Sequence, residues 1–298
     1  MDLDVFNQLR EAIANVIKIS LPEPQASLLL GILIGIKSSF PPSFYEALRV
    51  TGTLHIVVVS GYNISVLINT LGRLLIFLPL KIRFGVTLIF LLFFVLLVGP
   101  EPPVVRAAIM GAIGLLGTIL GRQKDAFRIL VLSGAAMVVF NPAWITELSF
   151  QLSFLATLGL ILIFPILDRI TPDKGGFLRD DFLTTLSAQI TVWPLIAFSF
   201  GQASLLSPLA NVLVLWTIPI ITYLGLVATT LALIINNFTE LIMIPLDFFL
   251  SYFIWIVTGE FWRFGFFEVG AFSFLALGFY YIILWGGLWF LYQTFQKK

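Results

Sequence analysis

Predominantly apolar runs follow one another along nearly the whole chain: 54–78, 84–99, 104–120, 127–140, 148–167, 182–200, 208–235, 240–258 and 270–292. A helix that crosses a bilayer needs about 20 mostly apolar residues. The repetition of such runs predicts an all-α fold: a polytopic integral membrane protein with about nine or ten transmembrane or re-entrant helices. Composition agrees, since 59% of the 298 residues are hydrophobic and 11% are charged. A soluble domain sits near about 45–50% apolar and about 25% charged.

Inventory removes several chemistries. The chain has no cysteine, so disulfides and thiolate ligands or nucleophiles are out. His55 is the one histidine, too few for a histidine-rich dinuclear metal centre or an H-E-x-x-H protease. The nearest approach to a phosphate-binding loop, Gly31 to Ser38, places Lys37 at the wrong offset inside an apolar run. The net charge of +1 announces no large basic surface. No catalytic residue, metal or cofactor is expected, and the chain is read as a non-enzyme.

Residues 1–24 form an expected amphipathic interfacial segment, with Val5, Leu9, Ile13, Val16 and Ile17 at helical spacing among polar residues. Residues 25–298 form the expected membrane domain, in which 25–36 is apolar but short enough to be re-entrant. The segment 41–51, opening with Pro41-Pro42, reads as a short interfacial helix. If the N-terminus is cytoplasmic and 25–36 crosses or nearly crosses, only Lys37, Arg49, Arg106 and Arg263 of the 17 Lys and Arg fall outside. The positive-inside rule favours that orientation, with both termini in the cytoplasm.

Polar side chains within spans are costly unless they face a bundle interior or water. At 100° per residue, His55, Tyr62, Asn69 and Arg73 fall within about 40° of one direction on a helix over 54–78, with Asn63 at the edge. Ser60-Gly61 interrupts that helix. The stripe either lines a hydrophilic path or is a buried hydrogen-bond seam. Glu147, Gln151 and Phe154 share a face at the start of span 148–167, where Glu147 also suits the helix dipole. Arg106 has three readings: it snorkels to the interface, pairs with Glu101 or Glu147, or contacts an anion. Along its helix Ala107, Gly111, Gly114, Gly117 and Gly121 form a small-residue stripe, expected to be a close packing face. Ser187 and Thr191 are expected to bond back to their own backbone. Pro194 and Pro219 mark expected kinks.

These residues fall in motifs that resemble the ComEC family of competence proteins. Arg49-Val50-Thr51-Gly52-Thr53-Leu54-His55 is followed by Val58-Val59-Ser60-Gly61-Tyr62-Asn63-Ile64. Next come Val105-Arg106-Ala107, Gly121-Arg122 with Asp125, and Asn141-Pro142. Phe150-Gln151-Leu152-Ser153-Phe154 follows, and then Phe200-Gly201-Gln202 with Ser204, Pro208 and Asn211. The resemblance covers roughly residues 25–235. It implies a channel that passes single-stranded DNA across the cytoplasmic membrane during natural transformation. A separate nuclease, a helicase-like ATPase and a membrane DNA receptor are the implied partners, with the lipid bilayer as surroundings. Relatives commonly add an OB-like and a metallo-β-lactamase-like domain; one histidine is too few for the latter, so the channel domain alone is expected here. Where relatives often have a second histidine, this chain has Asn63. The implied path residues are His55, Ser60, Gly61, Tyr62, Asn63, Asn69, Arg106, Glu147, Gln151, Ser153, Gln202 and Asn211. The alternatives are a transporter of another hydrophilic or anionic solute, or a non-conducting scaffold for a nuclease or ATPase.

Overall fold

The computed structural model describes residues 3–37, 39–57, 59, 61–121, 125–171, 176–235, 239–269 and 273–296. The described chain is almost entirely helical, as a chain in lipid must be if it is to satisfy its own backbone. Six of its helical stretches are long and apolar enough to cross a membrane: Leu80–Val98 (α6), Pro102–Ile119 (α7), Leu148–Ile170, Arg179–Phe200, Thr217–Ile234 (α13) and Thr239–Val257 (α14). Leu148–Ile170 holds α9 (Leu148–Leu162) and α10 (Phe164–Ile170), while Arg179–Phe200 lies within α11 (Gly176–Phe200). Ala126–Phe140 (α8) and Phe274–Gln296 (α15) are the remaining apolar helices toward the C-terminus. The protein is a helical membrane protein.

One expected segment is a short helix and two are divided. Residues 25–36 form α2 (Gln25–Ile34), which ends at Gly35 in the left-handed conformation. Its 10 residues rise only about 15 Å, half of a hydrocarbon core of about 30 Å. The run 54–78 is not one helix: it divides into α4 (Leu54–Val57) and α5 (Gly61–Leu74). The run 208–235 divides at Trp216 into α12 (Ser207–Leu215) and α13. Pro219 falls in the first turn of α13, just after that break, whereas α11 continues through Pro194.

The main apolar core surrounds α2. Leu28, Leu29, Leu30 and Ile32 meet Ile218 and Ile221 of α13 and Met243, Leu250 and Phe253 of α14. The N-terminal helix α1 (Leu3–Ser20) forms as expected, and the bundle takes up its apolar face. Phe6, Ala14 and Ile17 are buried there, and the Phe6 ring lies 5.6 Å from that of Phe93 on α6. Val5 stays exposed. Arg10 donates to the Ile34 carbonyl at the C-terminal end of α2, the negative end of a helix dipole. It lies beside Gly99, at the α6 end shared by the Lys37–Glu101 ion pair.

A second, smaller core joins α5, α6 and α7. The expected interfacial helix is α3 (Pro42–Thr51), packed on α12 and on a 3-10 segment, Glu260–Gly265. Two short strands, β1 (Gln202–Ser204) and β2 (Phe266–Glu268), pair antiparallel beside it, with Gln202 opposite Glu268.

Candidate functional site: a polar seam at the helix breaks

The broken helices meet one another. A Cβ on Gly31 of α2 would lie 2.6 Å from the Val57 carbonyl oxygen at the end of α4. Gly35 faces Val59, between α4 and α5, and Val98 of α6. Asn63 in the first turn of α5 donates its amide to the Ile32 carbonyl of α2 at 3.3 Å. Irregular backbone at membrane depth persists only where protein buries it or where it lines a wet cavity. Asn63 is 1% exposed and its Oδ1 has no partner among the described residues.

The division of 54–78 overturns the expected continuous stripe. A 100° step cannot be carried from α4 into α5, so His55 shares no helical face with Asn69 and Arg73. Ser60 lies outside the described residues, as does the side chain of Tyr62. Asn69 and Arg73 are exposed on α5. His55 is exposed too, on the short helix α4.

Arg106 is the one charged side chain on α7, and it is 8% exposed. It neither snorkels nor pairs with the two expected acids. Glu101 is bound to Lys37, and Glu147 is exposed at the start of α9. Instead Nε donates to the Ser153 hydroxyl at 2.7 Å, and Nη1 donates to the Thr157 hydroxyl. The guanidinium carbon lies 6.0 Å from the Phe154 ring centre, within reach of a cation–π contact. Among the described residues, no carboxylate lies within ion-pair distance of Arg106. A buried charge without a counter-charge is strongly disfavoured.

A second polar group joins α3 and α11 to α12. Ser204 donates to the Val50 carbonyl at 2.7 Å, and Gln189 donates to the Ser204 carbonyl at 2.8 Å. A Cβ on Gly52 would fall 2.7 Å from that of Ser207. Asn211, one turn further along α12, is 1% exposed with Oδ1 unpartnered among the described residues.

The structure thus brings Gly61, Arg106 and Ser153 together, ties Asn63 to α2 instead, and leaves other expected residues elsewhere. Gln151 donates to the Ile145 carbonyl, tying α9 to the 3-10 turn Pro142–Thr146 before it. Gln202 is held in the β1–β2 ladder. Thr157 was not among the expected residues; its signal is its place one turn beyond Ser153 on α9.

The glycines of α7 also correct an expectation. Gly111 packs against Ile68, but nothing stands within 4 Å of a Cβ on Gly114, Gly117 or Gly121. Gly117 lies about 20° from the Arg106 direction on α7 and Gly114 about 80° from it. The close small-residue crossing forms instead between α9 and α11. A Cβ on Gly159 would run into the Ser187 carbonyl oxygen. There Ser187 and Thr191 bond back to their own helix, as expected, and Thr191 also donates to Leu155.

Comparison with known proteins gives the family. A family described as Competence protein matches residues 32–294. ComE operon protein 3 of Bacillus subtilis is 27% identical over 213 residues, covering 69% of this chain and 26% of its own length. An uncharacterized protein of Aquifex aeolicus is 30% identical over 220 residues, covering 72% of this chain and 51% of its own. The Escherichia coli protein YcaI, also uncharacterized, is 26% identical over 234 residues, covering 74% and 31% respectively. The chain therefore spans between about a quarter and about half of these relatives. No solved structure matches it significantly. With a family match over residues 32–294, from α2 into α15, the chain belongs to the Competence protein family.

Proposed function

We propose that this protein is a non-enzymatic pathway for single-stranded DNA across the cytoplasmic membrane, within the DNA-uptake role that its family implies. The observation that carries the reading is the meeting of α2, α4 and α5 at their broken ends, with polar side chains gathered there. Interrupted helices free backbone groups in the middle of a bundle, where a hydrophilic solute can use them. Isolated donors bind a strand weakly at each point, which favours passage over retention. A nucleotide-driven motor, a nuclease and a DNA receptor would act from other chains. The charge distribution supports cytoplasmic termini.

The test is uptake of labelled DNA by cells lacking their own channel protein. The wild-type chain should restore DNase-resistant internal DNA, and His55→Ala and Asn211→Ala should reduce it at least tenfold while inserting normally. Uptake unaffected by both substitutions would sink the pathway reading and favour the scaffold. Saturable flux of a small anion without DNA uptake would favour the transporter.

A further inference from the structure

Helix α5 is 14 residues long and begins at Gly61. Its first N–H groups lack carbonyl partners within the helix, and its N-terminus carries roughly half a positive charge. The Arg106 guanidinium is aimed at this same point. Nη2 lies 2.8 Å from where a Cβ on Gly61 would be, so the guanidinium can pack against the start of α5 because residue 61 is glycine. The other two guanidinium nitrogens are occupied by α9 and by Met110, whereas Nη2 has no hydrogen-bond partner among the described residues. Two positive features therefore face each other inside the bundle, and no described carboxylate lies between them. Like charges repel strongly in a low-dielectric interior, and an anion bound beside both would relieve that repulsion.

We propose that the N-terminus of α5 and Arg106 form a binding site for one phosphodiester group, with Ser153 and Thr157 holding the guanidinium in place. Arg106 offers its free Nη2 and a fixed charge, and the α5 N–H groups offer donors that need no charge of their own. The hydroxyls fix the guanidinium without neutralising it, so its charge is kept for the ligand. The phosphodiester comes either from a DNA strand or from a phospholipid headgroup. This deepens the pathway reading, but the site can be tested without it.

The experiment uses the full chain purified in a maltoside detergent. Binding of a fluorescent oligothymidylate is compared with that of the same oligomer carrying a neutral methylphosphonate backbone. The charged oligomer should bind at least tenfold more tightly to the wild type, and Arg106→Gln should remove that preference. Gly61→Ala keeps the charge but places a methyl against Nη2, and should weaken the preference severalfold. An unchanged preference in both variants overturns the site. If Arg106→Gln does not fold, Gly61→Ala alone decides. The second arm titrates a short-chain phosphatidylglycerol. Arg106-dependent binding of the lipid but not of the oligomer supports the site, assigns it to lipid and removes it from the DNA path. Binding of neither probe in an Arg106-dependent way overturns it. Failure of the uptake assay with binding intact would sink the pathway and leave the site standing.

Discussion

Around α2 nearly every side chain is apolar and buried, while around Arg106 helices of the same bundle carry hydroxyls, an amide and bare glycine backbone. Both regions are built from the same apolar alphabet. The first region uses Gly31 and Gly225 to bring neighbours into contact. In the second, Gly114 and Gly117 further along α7 have no neighbour within 4 Å of an added Cβ. Lipid tails are as apolar as leucine, so close packing rather than water exclusion holds helices together in a membrane. A region that declines to pack therefore gives up the main source of cohesion available to it. That choice makes sense where something other than protein is to occupy the gap.

The sharpest way to break this comparison is to damage the packed side. Phe253 is fully buried against α2, and Phe253→Ala should destabilise the protein by about 3–5 kcal/mol. Thermal unfolding in detergent would read this, and an unchanged midpoint would mean the α2 region is not the structural core. Gly31→Ala should come next, at about 1–3 kcal/mol, because its methyl meets the Val57 carbonyl rather than a flexible side chain. Arg106→Met tests the other side. Removing a buried, uncompensated cation should leave stability unchanged or raise it, while uptake of labelled DNA collapses. A variant that loses stability and uptake together would make Arg106 a structural residue. Smallest of all, Gly114→Ala should stabilise α7 by about 0.5–1 kcal/mol, since nothing stands in the way of the added methyl. A falling midpoint there would show that the open face of α7 is closed in the membrane.

Part of the site is legible in the amino-acid order alone. Arg106, Gly61 and Asn63 stand out because polar or flexible residues in apolar runs are costly and so carry meaning. Ser153 is marked by the family motif, but a charge on α7 and a hydroxyl on α9 cannot be paired by spacing within either helix. The stripe on 54–78 fails for a local reason. A helical phase can be counted only along an unbroken helix, and α4 ends at Val57. The expectation for the α7 glycines fails for a tertiary one. A small residue permits close approach equally to a helix or to empty space, and sequence does not say which neighbour arrives.

The sequence by itself determined the class. Apolar runs near the length of a bilayer must be helices, and the family motifs follow in order along them. Only the tertiary structure decided that α2 stops half-way, that it meets the end of α4, and that Arg106 turns toward the start of α5 instead of toward Glu101 or Glu147. The reason is physical. Hydropathy acts along one segment at a time, whereas the partner of a buried charge is chosen by helices far apart in the chain that pack side by side.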